Sequence, residues 1–132
     1  MALDSWAILN LLDDGPNADL VDAAVESGDA VMSWINLGEV AYIVTRSQGE
    51  GAAHAVVADV RSGVDVQLPD APLVLAAARI KAGIPMAYAD AFAAATAVRY
   101  DAALMTGDPE LLVRPNKRTN VKPWRWVDLR MK

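Results

Sequence analysis

Cysteine is absent from this chain of 132 residues. That excludes disulfide bonds, thiolate catalysis and any zinc site built on Cys ligands. Histidine is nearly absent too. The single one, His54, falls in a mid-chain helical run, far in sequence from every acid singled out below, and reads as a surface or packing residue. No apolar run approaches the ~18 uninterrupted residues that a bilayer crossing needs. The N-terminus lacks the basic flank and apolar core of a signal peptide, because Asp4 comes at once and Asp13-Asp14 close the first apolar segment. A soluble, cytoplasmic protein is expected. Neither an internal repeat, nor a low-complexity segment, nor an interdomain linker breaks the chain, so residues 1–132 read as one domain of common size. A hydrophobic share of 54% excludes a disordered chain.

Charge is unevenly placed. Residues 1–113 hold 5 Lys/Arg against 16 Asp/Glu, whereas residues 114–132 hold 7 against 1. The formal net charge of −5 therefore combines an acidic body with a basic tail. The body repels polyanions at long range, while the tail can neutralise phosphates one contact at a time. Lys117 and Arg118 are its candidate phosphate contacts, although a merely solvated terminus explains the same composition. Trp124 and Trp126, interleaved with Lys122 and Arg125, offer rings for base stacking. Core packing in a last strand is the expected use of at least one of them.

Short apolar runs alternate with longer helical patterns, which predicts an α/β fold: a parallel sheet of about four to five strands between layers of helices. Ala2 to Asp4 is a very short first strand, and a helix follows from Ser5 to Leu12. Asn17 is placed to cap a second helix, Ala18 to about Ser27, with Leu20, Ala24 and Val25 at helical spacing and Gly28 as a left-handed stop. Ala30 to Met32 is the second strand. Helices follow over about Ile35–Ser47, with Leu37, Val40, Ala41 and Val44 on one stripe, and over Glu50–Arg61, stopped at Gly63. Val64 to Leu68 alternates as a half-buried strand does, and Pro72 lies in the first turn of a helix reaching Lys81. A helix over Asp90–Val98, a strand over Ala102–Met105, a turn at Glu110–Leu112 and an edge strand within Val121–Val127 complete the pattern.

Four acids occupy equivalent places in that pattern. Asp4 ends the first strand, Glu39 lies early in the helix after the second, Asp90 opens the alanine-rich helix, and Asp108 follows the strand ending at Met105. Taken singly each has an ordinary use. Asp4 or Ser5 caps a helix, Asp90 caps another, and Asp108 in Thr106-Gly107-Asp108-Pro109 is a turn residue. Glu39 is the anomaly, since it sits close to the stripe of Ile35, Leu37 and Val40, and an unpaired buried carboxylate is costly. Together, at the carboxyl edge of one parallel sheet, the four would repel one another and raise each other's pKa unless divalent cations neutralised them. That arrangement suits metal-assisted phosphodiester hydrolysis. Phosphatases that form an aspartyl-phosphate are an alternative class. They need two Asp close together after the first strand and a Lys near the last acids, whereas this chain has Asp4-Ser5-Trp6 and no Lys between Lys81 and Lys117.

The opening Leu3-Asp4-Ser5, the run Asn36-Leu37-Gly38-Glu39-Val40, the segment Ala89-Asp90-Ala91-Phe92 with Ala94, Ala95 and Ala97, and Thr106-Gly107-Asp108 resemble the PIN-domain proteins. Their order and spacing over residues 2–112 are most similar to the VapC-type ribonuclease toxins of toxin–antitoxin pairs. The resemblance implies a three-layer PIN-like fold and a metal-dependent endoribonuclease. Its ligands for Mg²⁺ or Mn²⁺ would be Asp4, Glu39, Asp90 and Asp108, with Ser5 and Thr106 offering hydroxyls beside them. Asp90 and Asp108 are expected as the main ligands, Asp4 as a bridging or water-mediated one, and Glu39 as an outer ligand or water-orienting group. It further implies single-stranded or looped structured RNA, tRNA-like RNA included, as substrate, and products with a 5′ phosphate and a 3′ hydroxyl. A cognate antitoxin and a homodimer are the implied partners. Trp6 and Trp34 are candidate groove aromatics at the antitoxin rim. A non-catalytic PIN-like binding module is the other reading of the same resemblance. Two departures stand out. Family members usually carry several more apolar residues before the first Asp, so a truncated first strand or a later start is expected here. Pro109 stands where an aromatic residue often follows the last Asp.

Overall fold

The structure, a computed structural model, describes residues 1–114 and 121–130. Five short strands, β1 (Ala2–Leu3), β2 (Val31–Ser33), β3 (Asp65–Gln67), β4 (Leu104–Thr106) and β5 (Trp126–Asp128), form one sheet in the order β3-β2-β1-β4-β5. All four pairings are parallel. Six helices, α1 (Ser5–Leu12), α2 (Ala18–Glu26), α3 (Trp34–Gln48), α4 (Glu50–Gly63), α5 (Ala71–Gly83) and α6 (Tyr88–Arg99), make the connections. None of the described helices is long and apolar enough to cross a membrane.

The layers follow from strand register. Ala2 pairs with Val31 and Leu104, and Leu3 pairs with Met32 and Met105. Successive side chains point to opposite faces. Ala2, Val31 and Leu104 therefore join the core under α5 and α6, while Leu3, Met32 and Met105 join the core under α1 to α4. The three-layer α/β fold read from the sequence is the fold observed. In α6, Ala91, Ala93, Ala94, Ala95 and Ala97 are all buried. Alanine combines the best helix propensity with the smallest apolar side chain, so this helix packs closely against β1, β2 and α3. Asp70 caps α5 by accepting from the Leu73 N–H at 2.9 Å, and it pairs bidentately with Arg99 at the far end of α6. The guanidinium of Arg99 holds the Asp70 carboxyl below its usual range.

Several local expectations shift. Asn17 stands at the N-cap position of α2 without capping it; its Nδ2 donates to the carbonyl of Leu129 at 2.7 Å instead, tying the start of α2 to the segment after β5. Leu20 and Ile35, placed on buried stripes by spacing, are 45% and 38% exposed, while Val21 and Asn36 beside them are buried. Strands β2 and β4 each extend to the polar residue past the expected apolar run, Ser33 and Thr106. β5 is the edge strand expected but holds only the last two residues of the expected span and adds Asp128. Gly28 takes φ +81°, the left-handed stop expected for α2, and Pro72 lies in the first turn of α5.

Candidate active site

Every strand runs the same way, so their carboxyl ends share one edge. The chain winds from β1 outward to β3 on one side and then crosses to β4 and β5 on the other. The crevice between β1 and β4 is thus the topological switch point, where ligands bind in open parallel sheets. Asp4 follows β1 directly, and Thr106 closes β4.

Asp4 is 1% exposed and both of its oxygens are engaged. Oδ1 accepts from the Ala7 N–H at 2.8 Å, which makes Asp4 the N-cap of α1, and Oδ2 accepts from the Thr106 hydroxyl. Capping and a place in the acidic cluster are therefore not alternatives for this residue. The Thr106 oxygen in turn accepts from the Asp108 N–H at 3.0 Å, and Asp108 Oδ1 accepts from the Glu110 N–H at 2.9 Å. One chain of hydrogen bonds thereby fixes the loop after β4 to the end of β1. Burial pushes the Asp4 carboxyl up to about 7, against the lowering effect of its two donors and with the charges of Asp108 and Glu39 adding to the rise.

Asp90 does not cap α6. The N-cap is Ala87, which has no side-chain bond to give, and Asp90 is the third residue of the helix, within its first turn and 6% exposed. Its carboxyl is pushed up to about 8, first by burial, then by the charge and hydrogen bonding of Asp108, then by the charges of Asp4 and Glu39. Glu39 is half-buried in the second turn of α3, and its Oε1 lies 3.5 Å from Nδ2 of Asn36. All four acids read from the sequence thus meet at one edge.

The tightest group differs from that quartet. Asp90, Asp108 and Glu110 each present a carboxylate oxygen within 4.8 Å of the others. Sequence reasoning does not find Glu110, because it assigns Glu110–Leu112 to a plain turn. The available signal is its place two residues beyond Asp108 in Asp-Pro-Glu, where a tight loop returns both side chains to one side. The donor set is all oxygen, the choice of hard cations such as Mg²⁺, Mn²⁺ or Ca²⁺. Asp90, buried with its pKa raised beside Asp108, fits such an ion, because the ion's charge removes the cost that burial and a neighbouring carboxylate impose. Asp108 is half-buried and Glu110 exposed, which leaves the group open to solvent on one side.

Other candidates fall into place around this cluster. Ser5 opens α1, half-buried beside Asp4, and the cap of that helix belongs to Asp4 alone. Trp6 lies against the Thr-Gly-Asp loop and lines a cavity of about 450 Å³ with Leu9, Asn10, Pro16 and Arg130. A Cβ on Gly107 would come within 2.4 Å of the Trp6 ring. Gly107→Ala should therefore displace the ring or the loop carrying Asp108 and lower stability by about 1–3 kcal/mol; thermal unfolding checks this, and an unchanged melting temperature contradicts the packing described. Trp34, half-buried, stacks under Arg61 with the guanidinium carbon 5.1 Å from the ring centre. Trp124 is a core residue whose Nε1 donates to the Leu111 carbonyl at 3.0 Å, whereas Trp126 lies under Arg114. His54 is exposed on α4, 4.0 Å from Glu50, and has no part in the cluster. Lys117 and Arg118 lie outside the described residues. In the described part of the tail, Arg125 is bound to Asp101 and Arg130 to Asp128.

No curated protein matches the chain. Among solved structures, the chain is similar to one in the crystal structure of VapBC2 from Rickettsia felis bound to a DNA fragment from their promoter. That match has a TM-score of 0.71 and 14% identity, and covers 96% of each chain. It is also similar to a chain in the structure of VapBC-1 from nontypeable Haemophilus influenzae, with a TM-score of 0.67 and 22% identity over 97% of this chain and 96% of that one. At these identities the likeness speaks for the fold. The PIN domain family profile matches residues 1–116. With that match over most of its length, the chain belongs to the PIN domain family.

Proposed function

We propose that this chain is a divalent-metal-dependent endoribonuclease of the VapC type, the toxin of a toxin–antitoxin pair. The observation that carries the proposal is the convergence of Asp4, Glu39, Asp90 and Asp108 at the switch point of a PIN-domain sheet. The likeness to chains of two VapBC structures supports the toxin assignment.

Asp90 and Asp108 are the residues that would hold Mg²⁺ or Mn²⁺, with Glu110 completing the tight group, Asp4 beside it and Glu39 at its margin. When bound, the cation supplies charge neutralisation at the phosphate and a lowered pKa for water. The remaining work belongs to the chain. Asp4, held by the Ala7 N–H and the Thr106 hydroxyl, keeps one carboxylate orientation; Thr106 also holds the Asp108 backbone in place. Glu39 orients the attacking water. No histidine base is needed in this scheme. The acidic body leaves phosphate binding to the basic tail. With Arg125 and Arg130 already paired with acids, that task falls to the other basic residues of the tail, Lys117 and Arg118 among them. Replacing both by Gln should weaken RNA binding and reduce the salt slope of log affinity by about one unit for each phosphate no longer neutralised. An unchanged slope across a salt series would place the substrate elsewhere.

The toxin role is tested in cells. Expression of this chain alone should arrest growth, and co-expression with the adjacent small gene should restore it. Harmless expression of a chain that cleaves RNA once purified would contradict the toxin role and favour a housekeeping nuclease. The proposal extends to a homodimer in the cytoplasm, and sedimentation of the purified chain checks the dimer.

A further inference from the structure

Among the side chains at the acidic edge, a second neutral residue, besides Thr106, joins two of the elements that carry the acids. Asn36 is 0% exposed, in the first turn of α3. Its Nδ2 donates to the carbonyl oxygen of Ala89 at 3.0 Å and lies 3.5 Å from Oε1 of Glu39. Ala89 immediately precedes Asp90. A single amide thus links Glu39 on α3 to the first turn of α6, where Asp90 stands. Both neighbours of Nδ2 are acceptors, so the reversed amide would set Oδ1 against two oxygens; the orientation follows from its partners. The remaining atom, Oδ1, is buried without a hydrogen-bond partner among the described residues. An unsatisfied buried acceptor lowers stability, and an apolar residue of similar shape would avoid it. Asn36 is therefore poorly explained as a stabilising residue and well explained by what its Nδ2 holds.

We infer that Asn36 is a positioning residue of the acidic centre, setting Glu39 relative to Asp90 and thereby the centre's hold on a divalent cation. The inference rests on the metal-dependent reading above. It differs from the roles assigned to the acids, because Asn36 offers no charge and acts through its neighbours. Residues that orient metal ligands typically change affinity or activity by 10–100-fold when replaced.

The experiment is a double-mutant cycle read by calorimetric titration of Mn²⁺ into the purified full chain, with metal-free melting recorded for each variant. Asn36→Leu, which keeps the branching at Cγ, adds some bulk and removes the amide, should bind Mn²⁺ about 10-fold or more weakly while remaining folded without metal. In the Glu39→Gln background the same change should cost clearly less than it does alone, because the carboxylate it positions is already gone. Asn36→Ser, which keeps a donor hydroxyl, should recover part of the affinity. It also carries the cycle, with Asn36→Ala, where Asn36→Leu does not fold. Wild-type Mn²⁺ affinity in folded Asn36→Leu, or losses that multiply fully in the double variant, would overturn the inference alone. A wild-type chain that takes up no Mn²⁺ would overturn the proposed function and this inference together.

Discussion

Asp90→Asn should abolish Mg²⁺-dependent RNA cleavage, by about a hundredfold or more, and leave the chain folded. Asn is nearly isosteric with Asp but contributes no charge to a cation, and Asp90 belongs to the trio whose oxygens lie within 4.8 Å of one another. The same substitution should stabilise the metal-free chain. Asp90 is buried beside Asp108, with the charges of Asp4 and Glu39 also raising its pKa. Removing its charge relieves that repulsion, and the gain at pH 8 is about 1–3 kcal/mol. Activity and stability thus move in opposite directions, which separates a functional acid from a structural one. An Asp90→Asn protein that cleaves RNA at the wild-type rate, or that melts well below wild type without metal, contradicts the assignment.

Metal-free stability should fall as pH rises from about 4 to about 8. Asp4 and Asp90 are raised from 3.8 to about 7 and about 8 in the folded chain. Between the unfolded and folded values the native state binds more protons than the unfolded state, so unfolding becomes easier with increasing pH. The contribution is fully present below the unfolded pKa and is lost as pH passes through the folded one. At ~1.4 kcal/mol per unit of pKa, and allowing for solvent access to the crevice, the loss is roughly 2–4 kcal/mol. Saturating Mg²⁺ or Mn²⁺ should flatten the slope, since cation binding favours the ionised carboxylates and stabilises the folded state. Melting curves across that pH range with chelator and with metal provide the check. A metal-free melting temperature that rises over the same range contradicts the buried acidic cluster.

The layers and the quartet were legible because both rest on simple periodicities. Short apolar runs between helical patterns specify a parallel sheet. Acids after its inner strands, Asp4 and Asp108 just past them and Glu39 early in the following helix, land at its carboxyl edge whatever the exact strand ends. Asp90, in a helix that follows another helix, was legible from the Ala89-Asp90-Ala91-Phe92 segment instead. What was not legible depends on contacts between segments far apart in sequence. Asn17 has the right residue type for a cap, yet its amide goes to Leu129, more than a hundred positions on. Asp90 looks like a cap because the alanine-rich run begins with it; the helix starts two residues earlier, at Tyr88, and that extra half-turn moves Asp90 from the helix end into the crevice. Leu20 and Ile35 have helical spacing but miss the buried arc, which runs through Val21 and Asn36. A polar residue such as Asn36 is the hardest to place inside from sequence, since its burial becomes tolerable only once Ala89 is beside it. Glu110 needs the loop's actual turn before it joins Asp90 and Asp108.

The central claim is most directly tested by the ends of the products. Purified chain should cleave single-stranded or looped RNA in Mg²⁺ or Mn²⁺, stop in chelator, and leave 5′ phosphates and 3′ hydroxyls, as water attacking phosphorus with loss of the 3′ oxygen requires. Cleavage that persists in chelator, or products ending in 2′,3′-cyclic phosphate, would show that the ribose hydroxyl is the nucleophile and that Asp4, Glu39, Asp90 and Asp108 do not form a metal-dependent hydrolytic centre.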